Sequence, residues 1–216
     1  MDNEHTIREL GQFLTENRFT LGNSGNISIR LGEDSCLITA SGSELGNLSE
    51  EDLVDCAFGE QKWSGGRKAS KELPMHQAIY EERQDIGGII HATPFYSTLI
   101  ACSNLELPKG LFVEEMYYLE KIERVPFFQP GSKELGEAVR QAADKADIIL
   151  MENHGVLVYD KTLSKAKAAL ETLEFTSKMV IQAKAVNSEL ALLDKERIAL
   201  FLDDSTYKPR KRWGDL

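Results

Sequence analysis

The sequence predicts an α/β/α sandwich, with helices on both faces of a mixed, largely antiparallel central sheet. Three observations lead there. Short strand-like segments, alternating or wholly apolar, are interleaved with amphipathic helical segments along the chain. Several neighbouring strands are joined by tight turns, which forces antiparallel pairing. No internal repeat, low-complexity run or linker interrupts the pattern, so residues 1–216 read as a single domain with a basic tail, containing YKPRKRW, over about 204–216.

The elements follow in order. HTIRELGQFLTENR sets Ile7, Leu10, Phe13 and Leu14 at amphipathic-helix spacing. NISIR and CLITA are short alternating strands separated by the turn-like LGEDS, and LSEEDLV carries Ser49 three residues before Asp52, a capping-box pattern for a brief helical turn. LVDCAFG and QKWSG read as a hairpin. ELPMHQAIYEERQ is a helix with Leu73, Met75 and Ile79 inward; GGIIHA is a buried strand, and PFYSTLIACS is the helix that Pro94 opens. KIERVPFF is a strand, and SKELGEAVRQAADKA is a helix capped by Ser132. DIILMENHGVLVYD is two strands around a tight Asn-His-Gly turn. A long helix starts at the Thr162 cap, and LDKERIALFLDD is a last helix.

Bulk properties exclude some functions. A net charge of −10, from 35 acidic and 25 basic residues, disfavours a nucleic-acid partner, because the cations outside the tail are scattered. The longest apolar runs, GGIIHA, ADIILM and GVLV, fall far short of the roughly 18–20 residues a membrane span needs. The opening MDNEHTIREL has neither the basic start nor the apolar core of a signal peptide, so the expected location is cytoplasmic, with no membrane partner. Cys36, Cys56 and Cys102 are odd in number and widely spaced, and they read as buried hydrophobes in a reducing compartment.

The candidate chemistry sits at strand ends. His5, in the exposed first helix, and His76, mid-helix, read as structural or solvated. His91 and His154 each end an apolar strand, where α/β sheets present ligands, so each is either a satisfied core residue or a ligand. Glu72 opens a helix after the polar loop GGRKAS. There Ser70 and Lys71, beside the positive end of the helix dipole, suit a phosphate or carboxylate. GNSGNISIR, with Ser24, Gly25 and Asn26, and LITASGSE, with Ser41 and Gly42, are small-residue loops of the kind that approach an anion closely.

SGNISIR, LITASG, KASKELPMHQAIY, GGIIHATPFYST and ENHGVLV, in that order and spacing, resemble the class II aldolase/adducin superfamily over about residues 5–190. The resemblance implies a class II aldolase-like fold, a homo-oligomer with a tetramer favoured, and a divalent metal, usually zinc. That metal would be held by histidines from an H-x-H pair and from the N-H-G turn. Carried over, His91 and His154 are metal ligands and Glu72 is the catalytic carboxylate. Ser24, Gly25, Asn26, Ser41, Gly42, Ser70 and Lys71 fall on the substrate and phosphate loops. The form SKE and the segment VPFFQPGS are similar to the branch that decarboxylates four-carbon keto-acid phosphates. Tyr117 or Tyr118 is an accessory candidate for the phenol that the family brings from a neighbouring subunit.

One departure stands out. The second histidine of H-x-H is Thr93 here, a poor zinc ligand. Glu72 can supply the third donor, giving a weakened site or one that takes another divalent ion. The expected function is a metal-assisted carbon–carbon lyase, aldolase or decarboxylase, acting on a small phosphorylated sugar or sugar acid through an enediolate. The alternative is an adducin-like binding or assembly module that has lost full metal coordination.

Overall fold

The computed structural model describes residues 2–59, 63–64 and 66–203; the predicted basic tail, about 204–216, lies outside them, as does part of QKWSG. Among the described residues eight strands form one sheet: β1 (Asn26–Arg30), β2 (Ser35–Thr39), β3 (Leu53–Ala57), β4 (Trp63–Ser64), β5 (Gly88–Ala92), β6 (Ile122–Val125), β7 (Ile148–Met151) and β8 (Gly155–Asp160). Their spatial order is β4-β3-β2-β1-β5-β8-β7-β6. Every pairing is antiparallel except β6 with β7, which is parallel. The mixed, largely antiparallel sheet is therefore as the sequence predicts.

Strand alternation splits the core into two layers. On one face Ile27, Leu37, Ile90, Ala92, Val156 and Val158 pack against helices α1 (Asn3–Glu16), α3 (Phe95–Ala101) and α6 (Leu163–Ala185). On the other, Cys36, Ile38, Ile89, Leu157 and Tyr159 pack against α2 (Leu73–Glu82) and α5 (Lys133–Ala143). The helices start where the sequence predicts: the Ser132 hydroxyl accepts from the Leu135 N–H at 3.1 Å, and Thr162 accepts from Lys165 at 3.3 Å. The Asp52 carboxylate accepts from the Ser49 N–H at 2.9 Å, holding the predicted helical turn at Glu50–Asp52.

Two features differ from the sequence reading. The segment VEEMYYLEK holds a short helix, α4 (Val113–Tyr118), which the pattern does not announce, whereas the predicted last helix is present as α7, Lys195–Asp203. And Cys102, expected to be buried, is exposed just past the end of α3, whereas Cys36 and Cys56 lie in the core, opposite each other on β2 and β3. The reason is positional. A residue one step beyond a seven-residue helix is not bound by the stripe that faces the sheet.

Candidate metal centre and active site

β5 and β8 are neighbours, with His91 paired to Leu157, so the end of β5 and the β7–β8 turn meet at one end of the sheet. His91 lies in β5 on the face of Ile89, toward α2. The turn that follows β7 carries Asn153 at φ +56° and Gly155 at φ +147°, and it brings His154 alongside. The His91 and His154 rings lie 4.9 Å apart, edge to face. Glu72, in the cap position of α2, closes the set from the helix layer. Its Oε1 is 2.9 Å from His154 Nε2, and its Oε2 is 3.3 Å from His91 Nε2. Ligand atoms of the three residues all lie within 4.8 Å of one another. The sequence-predicted trio, drawn from three distant segments, is brought together.

The donor set fits a divalent ion. His91 is buried, and its Nδ1 donates to the Val156 carbonyl at 3.0 Å. Burial favours the neutral His91 ring, whose Nε2 then carries a lone pair, while the Glu72 carboxylate favours the protonated one. That lone pair faces a carboxylate oxygen, an unfavourable pairing unless a cation lies between them. Burial pushes the Glu72 carboxyl up, but His91, His154 and the Asn26 amide outweigh it and hold the group well below the usual carboxylate range. Among the described residues, His154 Nδ1 is buried with no hydrogen-bond partner, and buried Glu72 Oε1, although 2.9 Å from His154 Nε2, is not aligned for a hydrogen bond with it. Two imidazoles and a carboxylate are a recognised catalytic zinc set, and the backbone bond that orients His91 is the second-layer support such ligands carry.

These side chains line a cavity of about 380 Å³ with Asn23, Ser24, Gly25, Asn26, Ser41, Gly42, Ser70, Lys71, Thr93 and Pro130. Each predicted loop residue is therefore at the site. Thr93 Oγ1 lies 3.3 Å from Ser24 Oγ, so a pair of hydroxyls stands at this side of the cavity. Tyr117 is not among the lining residues; it packs edge to face on Tyr118, with ring centroids 4.7 Å apart. The loops offer hydroxyls as much as amides, because the Ser41 and Ser70 N–H groups already donate to the Lys68 and Thr39 carbonyls. The sequence reading passed over Pro130 and the buried side of the site. There Asn26 donates to Glu72 Oε2 at 2.8 Å and His76 lies behind Asn26.

Gly25 shows how tightly this wall is built. It sits at φ +84°, and a Cβ there would lie 2.8 Å from the His91 carbonyl oxygen. Gly25→Ala is expected to cost about 1–3 kcal/mol in urea unfolding, from strained backbone plus that clash. Unchanged stability would show that the loop shifts freely.

The family model for the class II aldolase and adducin N-terminal domain matches residues 5–181. The chain is 33% identical over 175 residues to a 3-oxo-tetronate 4-phosphate decarboxylase of Haemophilus influenzae, covering 79% of this chain and 83% of that one. It is 32% identical over 181 residues to an L-fuculose phosphate aldolase of Methanocaldococcus jannaschii, covering 84% and 96%. Among solved structures, an L-fuculose 1-phosphate aldolase superposes with a TM-score of 0.83 at 28% identity, covering 92% of this chain and 93% of that one. A sugar-phosphate aldolase from Thermotoga maritima gives 0.70 at 26% identity, covering 86% and 97%. The family match over most of the chain and the two relatives above 30% identity agree: the chain belongs to the class II aldolase and adducin N-terminal domain family.

Proposed function

We propose that the protein, as one domain over residues 1–216, is a metal-assisted carbon–carbon lyase, an aldolase or decarboxylase acting on a small phosphorylated sugar or sugar acid. The observation that carries this reading is the convergence of Glu72, His91 and His154 on a cavity walled by the glycine–serine loops. An adducin-like binding module has no use for a buried carboxylate facing two imidazoles, so catalysis is preferred.

His91, His154 and Glu72 would hold the divalent ion, zinc or another. When bound, such an ion supplies Lewis acidity for the negative charge that develops on substrate oxygens as the carbon–carbon bond breaks. Glu72 moves a proton to or from the adjacent carbon of the resulting enediolate. The Ser41 and Ser70 hydroxyls and the Lys71 ammonium, at the cavity wall, hold the phosphate; binding energy there positions the reacting end of the substrate. Ser24 and Thr93 border the same space.

A homo-oligomer, tetrameric by resemblance, fits the exposure of Leu21, Phe95 and Phe175, at 71%, 69% and 58%. Cytoplasmic location fits the free Cys36, Cys56 and Cys102; no helix among the described residues is long and apolar enough to cross a membrane.

Phosphorylated four- to six-carbon keto-acids and keto-sugars, offered with Zn²⁺, Mn²⁺ or Mg²⁺, test the reading. Carbon dioxide release identifies a decarboxylase, and aldehyde release an aldolase. No turnover and no ligand-induced rise in melting temperature, across all of them, would contradict it. Thr93→His, restoring a nitrogen donor, is expected to tighten Zn²⁺ binding at least about tenfold. Unchanged affinity in a folded variant would place the ion away from Thr93.

A further inference from the structure

Behind Glu72 a helix and a strand interlock with matched periods. Glu72, His76 and Tyr80 recur every four residues along α2. Asn26 and Ser28 recur every two residues along the facing side of β1. Four helical residues rise about 6 Å and two strand residues about 6.6 Å, so the two stripes stay in step. Asn26 falls between Glu72 and His76, and Ser28 falls between His76 and Tyr80.

The contacts form one chain. Asn26 Nδ2 donates to Glu72 Oε2 at 2.8 Å, and Asn26 Oδ1 meets His76 Nε2. Ser28 Oγ is 2.7 Å from His76 Nδ1 and 2.8 Å from the Tyr80 hydroxyl. His76, Ser28 and Tyr80 are fully buried, and Asn26 is 4% exposed. Arg30, the next residue on the strand stripe, closes the far end with its guanidinium 4.7 Å from the Tyr80 ring centroid and an N–H donated to the Tyr80 carbonyl.

Donor and acceptor inventory fixes the direction. A carboxylate only accepts, so Asn26 turns its NH₂ to Glu72 and its oxygen to His76. An amide oxygen also only accepts, so His76 must present Nε2–H. Burial pushes the His76 pKa down to about 3, so the ring holds a single proton and Nδ1 is an acceptor. Ser28 therefore donates to Nδ1 and accepts from Tyr80. The reverse direction fails at Asn26, where two oxygens would meet.

We infer that His76 is a positioning residue. As the neutral Nε2–H tautomer, it locks Asn26, whose NH₂ in turn holds Glu72 Oε2 and leaves Oε1 for His154 and the cavity. This rests on the proposed catalytic role of Glu72.

Nitrogen-15 NMR of the wild-type protein is expected to show Nε2–H at His76. Replacing His76 by leucine, which cuts the chain, is expected to lower kcat about 10- to 100-fold with KM within about twofold, since misplacing a catalytic group costs rate rather than binding. His76→Gln, whose amide nitrogen replaces Nε2–H, restores most of the loss. Should His76→Leu not fold, Ser28→Ala, which keeps the histidine but frees Nδ1, takes its place. An Nδ1–H tautomer, or a folded chain-breaking variant with wild-type kcat, overturns the inference. If the wild type cleaves no substrate, the proposed function fails and the tautomer alone decides the inference.

Discussion

Glu72→Gln is expected to lower kcat by about 10²- to 10⁴-fold, the contribution of a positioned general acid–base, without unfolding the protein. Glutamine is nearly isosteric, and its oxygen can still accept from Asn26, the 2.8 Å contact that orients the carboxylate. What the variant loses is a group able to take and return a proton. It also loses a negative charge beside two imidazoles, so the divalent-ion content of the variant must be measured with its rate. A variant loaded with metal but inactive separates proton transfer from ligation. A Glu72→Gln protein with wild-type turnover would remove Glu72 from the mechanism altogether.

The second large effect lies at the other end of α2. Arg83, 5% exposed, follows the helix and is about 16 Å from Glu72 by helical rise. Its guanidinium donates to Asp85 at 2.7 and 2.8 Å, to buried Asp147 at 3.0 Å, and to the Ala143 and Ala146 carbonyls. It ties α2 to the α5–β7 connection. Burial opposes the charged form, but Asp85 and Asp147 together raise the Arg83 pKa, so the side chain stays charged. Arg83→Ala leaves Asp147 buried beside two carbonyls without their shared donor, and it is expected to destabilise the fold by about 3–5 kcal/mol in denaturant unfolding. Arg83→Lys keeps the charge but not the planar fork, so it recovers only part of this. The kcat of the alanine variant, at temperatures where it remains folded, is expected to match wild type. A loss below about 1 kcal/mol would mean that the aspartates are solvated after all.

Much of this architecture was legible because it is local. The stripe Ile7, Leu10 and Leu14, the caps Ser132 and Thr162, and the Asn-His-Gly turn each depend on residues a few positions apart, and each is found. His91 and His154 stood out because imidazoles ending apolar strands are conspicuous, and Glu72 because it opens a helix beside Ser70 and Lys71. That the three meet came from the family resemblance, not from spacing. The helix α4 was missed because its six residues carry no side-chain N-cap; it is held instead by buried Glu115, which accepts from the Gly110 and Leu111 N–H groups. His76 was passed over for a related reason. Its partners Asn26 and Ser28 lie about fifty residues upstream, and a histidine in mid-helix looks the same in sequence whether solvated or locked in a buried chain.

The proposed chemistry depends on two ring nitrogens and one carboxylate sharing a cation. Equilibrium dialysis of chelator-free protein against Zn²⁺, Mn²⁺ and Co²⁺, wild type beside His91→Ala and His154→Ala, addresses this most directly. One ion per wild-type chain, with affinity weakened about 100-fold or more in each alanine variant, is the predicted result. A folded wild-type protein that takes up no divalent ion at millimolar concentration, or alanine variants that bind as tightly as wild type, would contradict it.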